Sequence, residues 1–293
     1  MRRAFALFVI VGLWISALPS QAQSFAEKVA RGVTYPGPLR PITEPLRLRL
    51  DATPRTRMTV VVSAPQIAGQ NDPVTPLMTM DMRYAIASES SGLVMRFDFI
   101  SMILPQLTLK ASAPLMRVTV PVLPTGEMGE LELDTPGFAE LGLPGKGSPL
   151  ADAMINQITQ MQMPFAPVIN KVGDSITTET VEQQFARMAG SMPLEQLANM
   201  KVTASGGNFA AGLASHQGEE SLIVRNAITM AMTGPDGDVN LVMDGYGVYA
   251  LRNANILDTV LRIRMNMRPP GGAPMQTVMY VTMETAPLPD DGI

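Results

Sequence analysis

The sequence predicts a mainly β protein: a curved antiparallel sheet, or half-barrel, with one or two helices packed against it. Three observations carry that expectation. Apolar and polar residues alternate with a period of two through most of the chain. Turn-forming clusters such as "ESSG" (89–92) and "GPDGD" (234–238) separate the alternating runs. Only one long stretch, residues 149–163, keeps apolar residues at helical spacing.

Taken in order, residues 1–22 have the form of a secretory signal peptide. Arg2 and Arg3 supply a positive start, Ala4 to Leu18 an apolar run, and Ser20-Gln21-Ala22 the small residues of a cleavage site. That run falls short of the about 20 residues a membrane span needs, and no comparable run follows. The expected product is a soluble periplasmic or secreted chain beginning at Gln23, with no transmembrane segment.

Residues 23–45 read as a short helix, "SFAEKVAR" (24–31), and a linker held extended by Pro36, Pro38, Pro41 and Pro45. A first β meander is expected over 46–148. In "LRLRL" (46–50), Leu46, Leu48 and Leu50 share one face and Arg47 and Arg49 the other, the pattern of a strand wet on one side. The same alternation runs through "MTVVVSA" (58–64), "LMTMDMRYAIA" (77–87), "LVMRFDFISM" (93–102), "LTLKASA" (107–113), "LMRVTVPVL" (115–123) and "GELELDT" (129–135). Pro121 has no N–H to give a ladder, which argues for a sheet edge or a bulge there. A Gly/Pro-rich stretch (135–149) interrupts the pattern, and Leu150, Met154, Ile158 and Met161 then mark the helix 149–163. A second meander over 164–293 has its clearest strands at 221–232, 238–251, 259–268 and 276–284, and residues 176–218 fit helix or strand equally. The second meander is either a separate domain or continuous with the first.

Composition removes several function classes. Loss of residues 1–22 takes Arg2 and Arg3, leaving 20 basic against 26 acidic residues, a net charge of −6. An acidic chain is unsuited to general nucleic-acid binding. The single tryptophan, Trp14, leaves with the same segment. There are no cysteines, hence no disulfides, thiol chemistry or lipid-modified Cys anchor. One histidine and no cysteine leave no zinc-type cluster, and no cofactor is expected.

The segment "INKVGDSITTET" (169–180) contains Gly173-Asp174-Ser175, a string like the nucleophile block of the GDSL/SGNH esterases. A serine nucleophile needs a base, normally His, and an oxyanion donor. The one candidate base is His216, without the Asp three positions earlier that the family pattern has. The esterase reading, with Ser175 as nucleophile and His216 as base, therefore stands second to a structural one. In the latter, Gly173 permits a positive φ, Asp174 bonds nearby amides and the chain turns into a strand. The wider arrangement "MPFAPVINKVGDS" resembles a Pro-Val…Gly-Asp-Ser lead-in to β-strands in exported bacterial proteins of unknown function, a resemblance over about residues 164–285 that implies no catalytic residues.

Methionine is the other unusual feature, with 23 residues and Met-x-Met at Met78/Met80/Met82, Met161/Met163, Met230/Met232 and Met265/Met267. On a strand each motif puts its sulfurs on one face. Thioethers bind Cu(I), which makes Met78, Met80 and Met82 candidate ligands. The commoner use of Met is as an adaptable core filler. A third use joins the two ideas: a Met-rich sheet face, including Met78, Met80, Met82, Met265 and Met267, that takes an apolar ligand or lipid. A curved sheet lidded by helix 149–163, and by 24–31, resembles the LolA-type periplasmic carriers in architecture, and that resemblance implies an apolar cargo. The expected role is thus non-catalytic: binding an apolar ligand, a lipid or an envelope protein. The Arg rows (Arg47 and Arg49; Arg262, Arg264 and Arg268) read first as a solvated outer face and second as a contact for an anionic headgroup or phosphate.

Overall fold

The computed structural model describes residues 19–67, 73–145, 164–184, 201–235 and 237–288. The predicted helix 149–163 lies outside the described residues. The fold is one antiparallel sheet of twelve strands, not closed into a barrel. Its long strands are β1 (Thr53–Ser63), β3 (Pro76–Glu89), β4 (Gly92–Leu104), β6 (Met116–Val122), β8 (Lys201–His216), β9 (Glu219–Gly234), β10 (Gly237–Ala250), β11 (Ile256–Arg268) and β12 (Met275–Pro287). Short strands β2 (Gln66–Ile67), β5 (Leu107–Lys110) and β7 (Glu132–Asp134) complete it. The spatial order is β7-β6-β4-β3-β1-β12-β11-β10-β9-β8, with β2 beside β12 and β5 beside β4.

Both meanders are present, and they meet where the first and last long strands pair. β1 lies antiparallel to β12 from Thr56↔Pro287 to Val62↔Val281. The predicted hairpins form as expected, with Glu89 opposite Gly92 and Gly234 opposite Gly237. Pro121 sits beyond the end of β7, which pairs with β6 only at Arg117–Thr119. Its missing N–H therefore faces no ladder.

Side chains alternate between two faces. The inner face carries the main core: Met58, Val60 and Val62 of β1, Tyr84 and Ile86 of β3, Val120 and Val122 of β6, and Leu222 and Val224 of β9. Two extended segments outside the sheet pack on it. The first is residues 40–50, and here the strand expected for "LRLRL" is corrected. Leu48 and Leu50 are buried and Arg47 and Arg49 exposed, as the alternation requires. The segment nevertheless forms no ladder: isolated bridges tie Leu46 to Ile169 and Arg40 to Leu213 of edge strand β8. The second segment, residues 164–181, plants Ile169 and Ile176 in the core, both fully buried.

On the outer face, α1 (Pro19–Arg31) packs against β11 and β12. Phe25 is buried, and Lys28 Nζ reaches Asp258 Oδ1 at 2.7 Å and Glu284 Oε2 at 3.0 Å. Those two acids face each other in the β11–β12 register, so one lysine relieves a like-charge pair. This corrects the expectation that residues 24–31 lid the apolar face, because their acidic anchor lies on the opposite side. After α1, Val33 and Tyr35 pack on an outer-face cluster of Ile223, Tyr246, Val248 and Val260. The Gly/Pro-rich stretch contains a short α2 (Pro136–Glu140) whose Phe138 is buried. No helix among the described residues is long and apolar enough to cross a membrane.

Candidate functional site

The Gly173-Asp174-Ser175 turn closes the edge of the sheet. Gly173 has φ +93°, the left-handed conformation the turn requires. The Asp174 carboxylate accepts the backbone N–H groups of Asn170 (2.8 Å) and Lys171 (3.2 Å). The Ser175 hydroxyl donates to Thr177 O (2.9 Å) and accepts from Thr177 N (3.2 Å). Three main-chain bonds then tie the turn to edge strand β8: Gly173 N to Ala210 O, Ala210 N to Asp174 O, and Ile176 N to Asn208 O. An unpaired strand edge is a template for unwanted pairing, and here the turn occupies it.

His216 stands elsewhere. Ser175 bridges Phe209, and His216 lies seven residues further along β8. At about 3.3 Å per residue that separation is roughly 23 Å. The His216 ring lies 6.3 Å from that of Tyr35, and its Nε2 is buried with no hydrogen-bond partner among the described residues. The two members of the esterase constellation are not brought together. Among the described residues no group of three His, Cys, Asp or Glu is placed to hold a metal ion.

Met78, Met80 and Met82 project to the inner face of β3, opposite Val62, Val60 and Met58 of β1. Met82 is buried, and Met78 and Met80 pack against the main core. Met265 and Met267 share that face but lie two strands beyond β1, near the far end of β11. The two sets are therefore not one site.

Register does assemble a different methionine surface. On the inner face at the hairpin ends of β9–β12, Met232, Val239, Met267 and Met275 form one cross-strand row. The next row is Met230, Leu241, Met265 and Thr277, and the third is Ile228, Met243, Ile263 and Met279. Seven of these twelve residues are Met. β8 extends the three rows with Val202, Ala204 and Gly206. At about 4.8 Å between strands and 3.3 Å per residue, the surface spans roughly 19 Å by 14 Å. Met265 and Met279 are buried, Met230, Met232, Met243 and Met267 half-buried, and Met275 38 % exposed. No core cluster of the described residues includes any of the twelve.

The Met-x-Met motifs pointed at this surface only in part. Met243, Met275 and Met279 stand in no such motif, and strand neighbours cannot be read from one sequence. Of the predicted Arg rows, Arg47, Arg49 and Arg268 are exposed, whereas Arg262 and Arg264 are half-buried and share Asp244. No protein-family model matches the chain, and no curated protein matches it.

Proposed function

We propose that this is an exported, non-catalytic binding protein whose Met-rich inner face holds an apolar ligand of the lipid acyl-chain class. The observation that carries the reading is the three cross-strand rows of Met, Val, Leu and Ile at the β9–β12 hairpin ends, which continue the apolar face past the packed core. Unbranched thioether side chains adapt to irregular apolar partners, which suits a surface that takes flexible chains. The open, single-sheet architecture supports the analogy with LolA-type carriers, an analogy of shape alone. The signal-like residues 1–22 support a periplasmic setting.

Two measurements test it. Native mass spectrometry of the protein purified from periplasm should show a bound lipid-sized mass. A fluorescent fatty acid should bind, and Met230→Glu or Met267→Glu should weaken it at least tenfold, since each removes an apolar contact worth about 1.5–3 kcal/mol and adds a charge. A protein that carries no ligand and fails to bind the probe overturns the reading. So does binding that both substitutions leave unchanged.

A further inference from the structure

The other face of the first meander carries a separate feature. In cross-strand register Arg57 (β1), Arg83 (β3), Asp98 (β4), Arg117 (β6) and Asp134 (β7) form one outer-face row. Arg96 stands one row away beside Ala85 and Thr119. Arg55 reaches in from the irregular start of β1. Together Arg55, Arg83, Arg96 and Arg117 line a surface pocket of about 370 Å³ around Asp98, within the usual size range of small-ligand sites. The chain is acidic overall, so this concentration of guanidinium groups is local.

The charges do not balance. Asp98, 8 % exposed, accepts from Arg55 Nη2 at 3.1 Å and from Arg117 Nε at 2.8 Å. Arg57 is taken up by a two-pronged pair with Asp81, at 3.3 and 2.8 Å, and Arg96 pairs with Glu89. Arg83 is half-buried, directly opposite Arg57, and forms no ion pair with a described residue. Like charges opposed on neighbouring strands are destabilising. Burying part of a cation without a partner costs more. Four guanidinium groups thus line the pocket with one carboxylate, while Asp134, opposite Arg117, and Glu89, paired with Arg96, stand at its margin. Arg55 and Arg117 each spend one donor on Asp98, which fixes them and leaves their other N–H groups free for a ligand.

We propose that this pocket binds the phosphate group of a ligand, with Arg83 as its principal counter-ion, Arg55 and Arg117 as flanking donors, and Asp98 as the residue that positions those two. Guanidinium forks match tetrahedral phosphate oxygens in pairs, and an anion would offset the positive excess of the pocket. Free phosphate (or a small phosphorylated molecule) and the headgroup of an anionic lipid present the same chemistry, and the test separates them.

Calorimetric titration with inorganic phosphate at constant ionic strength covers the first source. Co-sedimentation with phosphatidylglycerol vesicles against pure phosphatidylcholine vesicles covers the second. Arg83→Gln should weaken whichever probe binds by roughly tenfold or more, the effect of losing a charge-assisted contact. Arg268→Gln, at the far end of β11, should leave it unchanged. Arg83→Gln should fold normally, because it removes the like-charge opposition to Arg57. Its unfolding midpoint should match or exceed that of the unsubstituted protein. Arg83-dependent binding of phosphate assigns the pocket to small phosphorylated molecules. Arg83-dependent binding confined to phosphatidylglycerol vesicles assigns it to a headgroup. Binding of neither probe, or equal binding by Arg83→Gln, overturns the proposal.

Discussion

Replacing Ile176 and Ser175 one at a time separates a structural turn from a nucleophile. Ile176 is fully buried in the main core, so Ile176→Ala removes apolar contacts and leaves a cavity, at about 2–5 kcal/mol. Ser175 gives up two local hydrogen bonds, to Thr177 O and from Thr177 N. Its loss should cost about 0.5–1.5 kcal/mol. Asp174→Ala falls between, because its carboxylate serves the Asn170 and Lys171 amides as a helix cap would, at about 0.5–2 kcal/mol. Urea unfolding reads the order directly. With a slope of about 3 kcal/mol per molar, the midpoint should fall by about 1 M for Ile176→Ala and by about 0.3 M for Ser175→Ala. Hydrolysis of short p-nitrophenyl esters is followed in parallel. The turn assignment fails if Ser175→Ala, still folded, abolishes an ester hydrolysis that the unsubstituted protein performs.

Two further outcomes follow from backbone geometry and burial. Gly206→Ala in β8 should cost about 3 kcal/mol or more, because φ is +96° there and a Cβ would sit 1.9 Å from Ala227 O. Gly173→Ala, equally left-handed but with nothing within 4 Å of its Cβ, should cost only the strain of about 1–2 kcal/mol; equal losses in urea would contradict this. Burial pushes the Tyr249 phenol up to about 12 and holds that of Tyr84 high as well. The folded state favours the protonated form of both, so their stabilisation is intact below the ordinary value near pH 10 and is lost as pH rises towards 12. Each should cost about 1.4 kcal/mol per pH unit in that window. Phenolate absorbance should rise with unfolding, and all five tyrosines titrating near pH 10 in a folded protein would contradict it.

How much was legible depended on whether the information was local. Period-two alternation fixes which face a residue takes, and the strands from Met58 to Met102 and from Ser221 to Glu284 were visible for that reason. "LRLRL" shows the limit. Its alternation gave the buried and exposed sides correctly, but an extended segment laid on a core has the same pattern as a strand within a sheet. β8 stayed ambiguous between helix and strand because its inner positions, Val202, Ala204, Gly206, Asn208 and Ala210, are too small and polar to make an apolar stripe. The seam β1–β12 joins residues more than two hundred positions apart, and no short-range signal specifies it. The candidate sites suffer most from the same cause. Gly173-Asp174-Ser175 is conspicuous in sequence and turned out to cover a strand edge. Met243 with Met267 and Met275, or Arg83 with Asp98, acquire meaning only when register sets them side by side.

The seam also explains why two unlike surfaces can share one sheet. Joining the meanders edge to edge gives each face two halves, and the chain covers them diagonally. Residues 40–50 and 164–181 pack over the inner face around β1, β3 and the near ends of β9 and β10. α1 with Val33 and Tyr35 packs over the outer face of the second meander. Left outside those clusters are the inner hairpin ends of β9–β12, where the side chains are Met, and the outer face of β1–β6, where they are Arg. Apolar side chains left half-exposed, as Met230, Met232, Met243 and Met267 are, forgo part of the stabilisation that burial gives, and opposed arginines lose stability outright. Among the described residues, neither set of side chains belongs to the main core cluster. Half-exposed apolar rows and opposed like charges are places where a protein's surface is shaped by what it binds. Because the two surfaces lie on opposite faces of the sheet, a charge on Met267 should leave phosphate binding intact, and loss of Arg83 should leave fatty-acid binding intact. Coupled loss in either variant would mean that the two halves do not act as the separate surfaces the register makes them.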